Sequence, residues 1–132
     1  MKELYSVDAE WALIGAALID PSIVGMIDIN ASDFYIERNR WIWETMREMS
    51  DNDKTPDIIA LMDELKRNNK VIGNDYIAGI SANNVSTMYA EEHAAMIRDF
   101  SMRRGLLNLA TSIAKSAQNV QDDITQKSSE FI

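Results

Sequence analysis

The most restrictive feature of this sequence is a helical repeat that begins near Thr87 and continues to about Gln118. Residues recur there at intervals of three and four, the spacing of one face of an α-helix. The repeat crosses Gly105 without a change of phase, so we predict one helix of about 30 residues rather than a tight hairpin. The main ridge, interrupted at Arg103, comprises His93, Met96, Phe100, Leu107, Ala110, Ala114 and Ala117, and a second ridge comprises Ile97, Leu106, Leu109 and Ile113.

The predicted length of this helix has a consequence for association. At about 1.5 Å per residue it spans about 45 Å, which exceeds what the core of one small domain covers. Apolar side chains beyond the core require a partner surface. We therefore predict that Met96, Phe100 and Leu107 contribute to an interface between copies of this chain.

Shorter helices are predicted elsewhere, and the predicted fold class is all-α. Ser6 and Asp57 can cap two of them, because their side-chain oxygens can accept hydrogen bonds from first-turn N–H groups. A third helix is predicted from Glu37 to Met49. Its predicted buried face comprises Trp41, Ile42, Met46 and Met49, with Trp43 one residue off this face. The other predicted elements are a short helix at 22–28, a helix after Asp57 that buries Ile58, Leu61, Met62 and Leu65, a short helix from Asn74 or Asp75, and a second arm that begins after Asn119.

Charge and composition exclude several classes of function. Thirteen Lys and Arg oppose 21 Asp and Glu, which leaves a formal charge of -8 in 132 residues. Tight binding of nucleic acid is therefore not expected, because such proteins usually present a basic face. Proteins that stack bases on aromatic rings surround those rings with a basic groove. Because no such groove is expected here, Trp41 and Trp43 are predicted to pack in the core or at an interface between copies rather than to stack on bases. The sequence has no cysteine, and neither a secretion signal nor a membrane-spanning segment is apparent, so we predict a cytoplasmic protein.

The sequence shows no motif of a catalytic, cofactor-binding or metal-binding site. None of the glycines is followed by the lysine and hydroxyl residue of a phosphate-binding loop. A lone His93 cannot form a multi-histidine metal site, and its place in the helical repeat favours packing. The carboxylate pairs at 91–92 and 122–123 are interpreted as solvated charge. We expect no catalytic, cofactor-binding or metal-binding residues in this chain.

A series of short motifs covers most of the chain in a fixed order. The motifs are Ala9-Glu10, Leu13-Ile14-Gly15-Ala16, Asp33-Phe34-Tyr35, Arg40-Trp41-Ile42-Trp43, Pro56-Asp57, Asp63-Glu64-Leu65-Lys66-Arg67, Gly73-Asn74-Asp75-Tyr76, Ile97-Arg98 and Arg103-Arg104. Their order and gaps resemble the N-terminal domain of DnaB-type replicative helicases over residues 7 to 118. Asn39 and His93 stand where that family commonly has histidine and tyrosine.

This resemblance implies one domain, with a helical head at residues 1–86 and, at residues 87–132, a long helix and the start of a second hairpin arm. In the family, heads and hairpins pair into dimers, and three dimers form a collar above the ATPase ring of an ATP-dependent DNA helicase. The collar docks primase or a helicase loader during DNA replication. Arg98, Arg103 and Arg104 lie on the long helix and are the predicted contacts for primase.

Three other interpretations fit parts of the sequence. The helicase-binding domain of a primase has a similar helical head and hairpin, but the motifs at 33–34 and 40–43 match it less well. A short phage or mobile-element protein that imitates the collar also explains the missing motor, but the stop within the presumed second arm favours a domain cut out of a longer helicase. An acidic helical regulator or DNA mimic agrees with the charge but leaves the order of the motifs unexplained.

Overall fold

The computed structural model describes residues 3–83, 86–120 and 125. Within these ranges the regular structure is helical and contains no β-strand, which confirms the predicted all-α class. Six α-helices and one 3-10 turn follow in order: α1 (Val7–Ile19), α2 (Ile23–Met26), the 3-10 turn (Ala31–Asp33), α3 (Glu37–Asp51), α4 (Ile58–Arg67), α5 (Asn74–Ala82) and α6 (Ala90–Gln118).

The predicted helix caps are present. The Ser6 hydroxyl accepts a hydrogen bond from the Ala9 N–H at 3.1 Å. The Asp57 carboxylate accepts one from the Ala60 N–H at 2.9 Å. Each side chain satisfies a backbone donor that has no partner within its own helix, which explains why α1 and α4 begin where they do.

The long helix is continuous, as predicted, but it begins later. α6 starts at Ala90 rather than Thr87, and it crosses Gly105 before it ends at Gln118. The residues of the predicted second arm, 121–132, lie outside the described part of the chain except for Thr125.

Contacts divide the chain into an N-terminal unit, Met1–Ser101, and a C-terminal unit, Met102–Ile132. The division falls inside α6, because the first turns of this helix bury Ala90, Ala94 and Ile97. The predicted division into a head at 1–86 and a long helix with a second arm at 87–132, both within one domain, stays a prediction.

Aromatic rings of the 3-10 turn and α3 meet in the core of the N-terminal unit. Phe34 is 1% exposed and Trp43 is fully buried, with their ring centroids 5.4 Å apart. Trp41 is only partly buried. The predicted buried face of α3 was therefore wrong in its choice of tryptophan, because packing against Phe34 favours the ring at position 43.

Arginine side chains fix the irregular segment between α2 and α3. Arg47 donates to the Ile29 carbonyl at 2.8 Å, and Arg40 donates to the Tyr35 carbonyl at 2.7 Å. Arg98 of α6 donates to the Asp28 carbonyl at 2.5 Å. These bonds satisfy carbonyls that are in no helix, so a segment without regular structure gains a defined position.

The carboxylate of Glu10 is the main buried acceptor of the N-terminal unit. Glu10 is 1% exposed. It accepts hydrogen bonds from the Tyr35 N–H at 2.8 Å, the Ile36 N–H at 3.3 Å and the Asn39 side-chain amide at 2.9 Å. Since Ile36 is the N-cap of α3, this side chain of α1 satisfies one backbone donor at the N-terminus of another helix, and its negative charge there favours the helix dipole.

A polar chain extends from this carboxylate to α5. The Tyr76 hydroxyl donates to the Asn39 amide oxygen at 2.5 Å and accepts from the Trp11 indole N–H at 3.2 Å. Burial raises the pKa of Tyr76 above its ordinary value of 10.0, because the phenolate is poorly solvated there. The neutral hydroxyl therefore links α1, α3 and α5.

We predict that Glu10→Gln lowers the free energy of unfolding by about 2 kcal/mol, the size of a hydrogen bond to a charged group. The amide would also direct an N–H group towards donors that have no other acceptor. Urea denaturation followed by circular dichroism measures the change. The exposed Glu48→Gln is the matched control and should stay within about 0.5 kcal/mol of the parent. Equal losses in the two variants would contradict the assigned role of Glu10.

Candidate protein interaction surfaces

The C-terminal unit presents a row of exposed apolar side chains, which we call the apolar stripe: Met102, Leu106, Leu109 and Ile113. They are 68%, 61%, 37% and 44% exposed. Their intervals of four, three and four residues place them on one side of α6. Leu107, one of the predicted interface residues, lies beside the stripe and is 43% exposed.

The apolar stripe has the spacing of a surface that packs against another helix. Helices that cross at small angles pair through side chains at alternating intervals of three and four, which fill the gaps between side chains of the partner. Single exposed apolar residues are common on protein surfaces, but a continuous row is not. The stripe can therefore bind a second helix.

A second surface, the N-terminal groove, lies within the N-terminal unit between α6 and the start of α1. Two adjoining cavities of about 460 Å³ and 570 Å³ form it and share Ser6, Asp8 and Met96 as lining residues. Phe100 lines one cavity and His93 lines the other. The Nδ1 atom of His93 is buried and has no hydrogen-bond partner among the described residues.

The other side of the N-terminal groove carries acidic and aromatic residues. Glu3, Tyr5 and Asp8 line it. The Tyr5 ring stacks on Tyr35, with centroids 4.1 Å apart and ring planes at 10°. The negative charge of Glu3 raises the pKa of the Tyr5 hydroxyl, which shows that the local potential disfavours a further negative charge.

The structure distributes the six predicted interface residues over both units. Met96 and Phe100 line the N-terminal groove. Leu107, Arg103 and Arg104 belong to the C-terminal unit, where Arg104 is partly exposed and the other two are exposed. Arg98 is partly exposed, and its guanidinium is bonded to the Asp28 carbonyl. These residues therefore do not form one patch within a single unit.

A third apolar surface, between α4 and α5, was not predicted. Ile58, Met62 and Ala78 line a cavity of about 450 Å³, and Ile59 beside it is 84% exposed. The prediction placed Ile58 on the buried face of α4, but it is 42% exposed. The consecutive isoleucines at 58 and 59 could have indicated this exposed apolar surface, because two neighbouring residues of a helix cannot both face the core.

Other kinds of site receive no support from the described ranges. Among the residues at 3–83, 86–120 and 125, no three His, Asp or Glu side chains are grouped to hold a metal ion. None of the helices in these ranges combines the length and apolar character needed to cross a bilayer.

The position of Phe100 leads to a stability prediction. Phe100 is only partly buried at the groove, whereas Phe34 is 1% exposed. Phe34→Ala should lower the free energy of unfolding by about 3 to 5 kcal/mol, the usual cost for a buried aromatic ring. Phe100→Ala should cost clearly less, about 1 kcal/mol, because little apolar area is lost from the core. Chemical denaturation of both variants tests this, and equal costs would place Phe100 in the core.

The described part of the chain is a helical domain, and its exposed apolar helix faces are surfaces of the kind that bind other proteins. The family model described as "DnaB-like helicase N terminal domain" matches residues 2–99. This chain therefore belongs to the family of DnaB-like helicase N-terminal domains, in agreement with the predicted resemblance.

Curated relatives agree with this assignment. The replicative DNA helicase DnaB of Treponema pallidum (strain Nichols) is 31% identical over 120 residues, which cover 87% of this chain and 27% of that protein. The replicative DNA helicase DnaC of Bacillus subtilis (strain 168) is 25% identical over 130 residues, which cover 95% of this chain and 29% of that protein. The chain thus spans just over a quarter of the length of these relatives.

Solved structures share the fold. The N-terminal domain of DnaB helicase from Mycobacterium tuberculosis aligns with a TM-score of 0.87 at 13% identity and covers 98% of this chain and 97% of that one. The corresponding domain from Helicobacter pylori, described together with its interactions with primase, aligns with a TM-score of 0.76 at 20% identity. That alignment covers 85% of this chain and 91% of the Helicobacter pylori domain.

Proposed function

We propose that this chain acts as the N-terminal collar domain of a replicative DNA helicase, where it joins helicase subunits and docks primase or a loader. The parent protein is then an ATP-dependent, cytoplasmic enzyme of DNA replication, and this domain contributes binding surfaces rather than catalysis. Membership of the DnaB-like family is the observation that carries the proposal. The interactions with primase described for the Helicobacter pylori domain support the docking role.

The apolar stripe supports the proposed self-association. Its members average more than half exposed, with values from 37% to 68%. Covering apolar surface contributes about 25 cal/mol per Å², so pairing two stripes stabilises a dimer. The proposal therefore implies that two copies of the isolated chain form a dimer, and that three such dimers form the collar of the parent helicase.

We expect the isolated chain to self-associate through the apolar stripe. Leu106→Asp should weaken association at least about ten-fold, which corresponds to about 1.4 kcal/mol, because it buries a charge without a partner. Sedimentation velocity over a range of protein concentrations measures the change. Met88→Asp, at a residue of the N-terminal unit that is 73% exposed, is the control. A monomer at all concentrations, or equal weakening by both variants, would count against the stripe.

For primase docking, the proposed contacts are Arg98, Arg103 and Arg104 on α6. Arg103→Glu combined with Arg104→Glu should weaken binding of the cognate primase's helicase-binding domain about ten-fold or more, because attraction becomes repulsion. Arg98 is kept intact because it holds the Asp28 carbonyl. Titration calorimetry gives the affinity, and Lys115→Glu on the same helix is the control. Unchanged affinity in the double variant would remove these arginines from the interface.

A further inference from the structure

The N-terminal groove offers apolar contact area on both sides. Met96 on α6 is 47% exposed and Val7 at the start of α1 is 40% exposed. Phe100 on α6 is partly buried. All three line the same cavity of about 460 Å³. This surface is lined by residues of the N-terminal unit, whereas the apolar stripe belongs to the C-terminal unit, and the two share no residue.

The length of the groove suits a short helix. His93, Met96 and Phe100 follow each other at intervals of three and four residues along α6. The distance from His93 to Phe100 is about 10 Å at 1.5 Å per residue, or about two helical turns. A partner helix that lies in such a groove inserts apolar side chains spaced three and four residues apart.

The charge around the groove is negative. Glu3 and Asp8 line it, and no lysine or arginine is among the described residues that line either cavity. Glu92, next to His93 on α6, is also exposed. An acidic rim attracts a basic partner and repels phosphates, so it favours a basic protein segment over a nucleic acid.

We propose that the N-terminal groove binds an amphipathic helix of a partner protein, whose apolar residues contact Met96 and Phe100 and whose lysines or arginines face Glu3 and Asp8. This inference rests on the proposed docking function and adds the site and the chemistry of the partner. The groove is acidic and is matched to a basic partner helix, whereas the contacts proposed on α6 are arginines.

A designed peptide tests the proposal on the intact chain. The probe is a fluorescently labelled, helix-forming peptide of about 14 residues, or about four turns, with leucines at the anchor positions and lysines beside them. A second peptide carries glutamates in place of the lysines. Fluorescence anisotropy should show that the basic peptide binds at least about ten-fold more tightly. Its advantage should shrink at about 1 M salt, where the Debye length is about 3 Å.

Groove variants locate the binding site. Met96→Glu should weaken binding of the basic peptide at least about ten-fold, because it places a charge on the apolar floor. Met96→Ser provides a smaller change if the glutamate variant does not fold, which circular dichroism reports. Glu3→Gln combined with Asp8→Asn should weaken binding several-fold and reduce its salt dependence. Met88→Glu, at an exposed position outside the groove, should leave binding unchanged.

Several outcomes would overturn the proposal. These are no saturable binding at millimolar peptide, equal binding of the two peptides, or equal weakening by Met88→Glu and Met96→Glu. Weaker self-association of Met96→Glu with unchanged peptide binding would assign the groove to a contact between copies of the chain. If self-association and primase binding persist while the basic peptide fails to bind, the proposed function stands and only the groove assignment is wrong.

Discussion

The buried carboxylate of Glu10 holds the N-terminal unit together at the point where three helices meet. It accepts from two backbone N–H groups before and at the start of α3 and from the Asn39 amide, which in turn accepts from Tyr76 of α5. A buried charge is tolerated only when such donors replace water. These bonds hold the first turn of α1 against the start of α3, in addition to the apolar packing that both helices contribute to the core.

The chain presents two kinds of surface for two proposed tasks. The apolar stripe of the C-terminal unit carries exposed apolar side chains at helix-packing intervals and suits a second helix of the same kind. The N-terminal groove combines Met96 and Phe100 with Glu3 and Asp8, which suits a partner of opposite charge. The two surfaces share no residue, so substitutions can test the two proposed tasks independently.

The helices were largely predictable because helix signals are local. Apolar spacing and caps such as Ser6 and Asp57 depend on residues within about one turn of each other. The same locality led to errors where packing decided the outcome. Trp41 fits the periodic face of α3 better than Trp43, but Trp43 meets Phe34 in the core. Asp8 and Glu10 both lie in the first turn of α1, where either carboxylate favours the helix dipole, but Glu10 is the buried acceptor and Asp8 is exposed.

By itself, the sequence determined the helical class, the unbroken course of α6 through Gly105, the acidic balance and the family resemblance, because composition and short-range periodicity carry this information. Only the tertiary structure decided which carboxylate is buried, that Arg98 holds the Asp28 carbonyl, and that Met96 and Phe100 share a groove with Glu3 and Asp8. Those facts depend on pairs far apart in the chain, such as the Glu10–Tyr35 bond across 25 positions and the Arg98–Asp28 bond across 70. The periodic pattern of one helix does not specify which distant side chain packs against it.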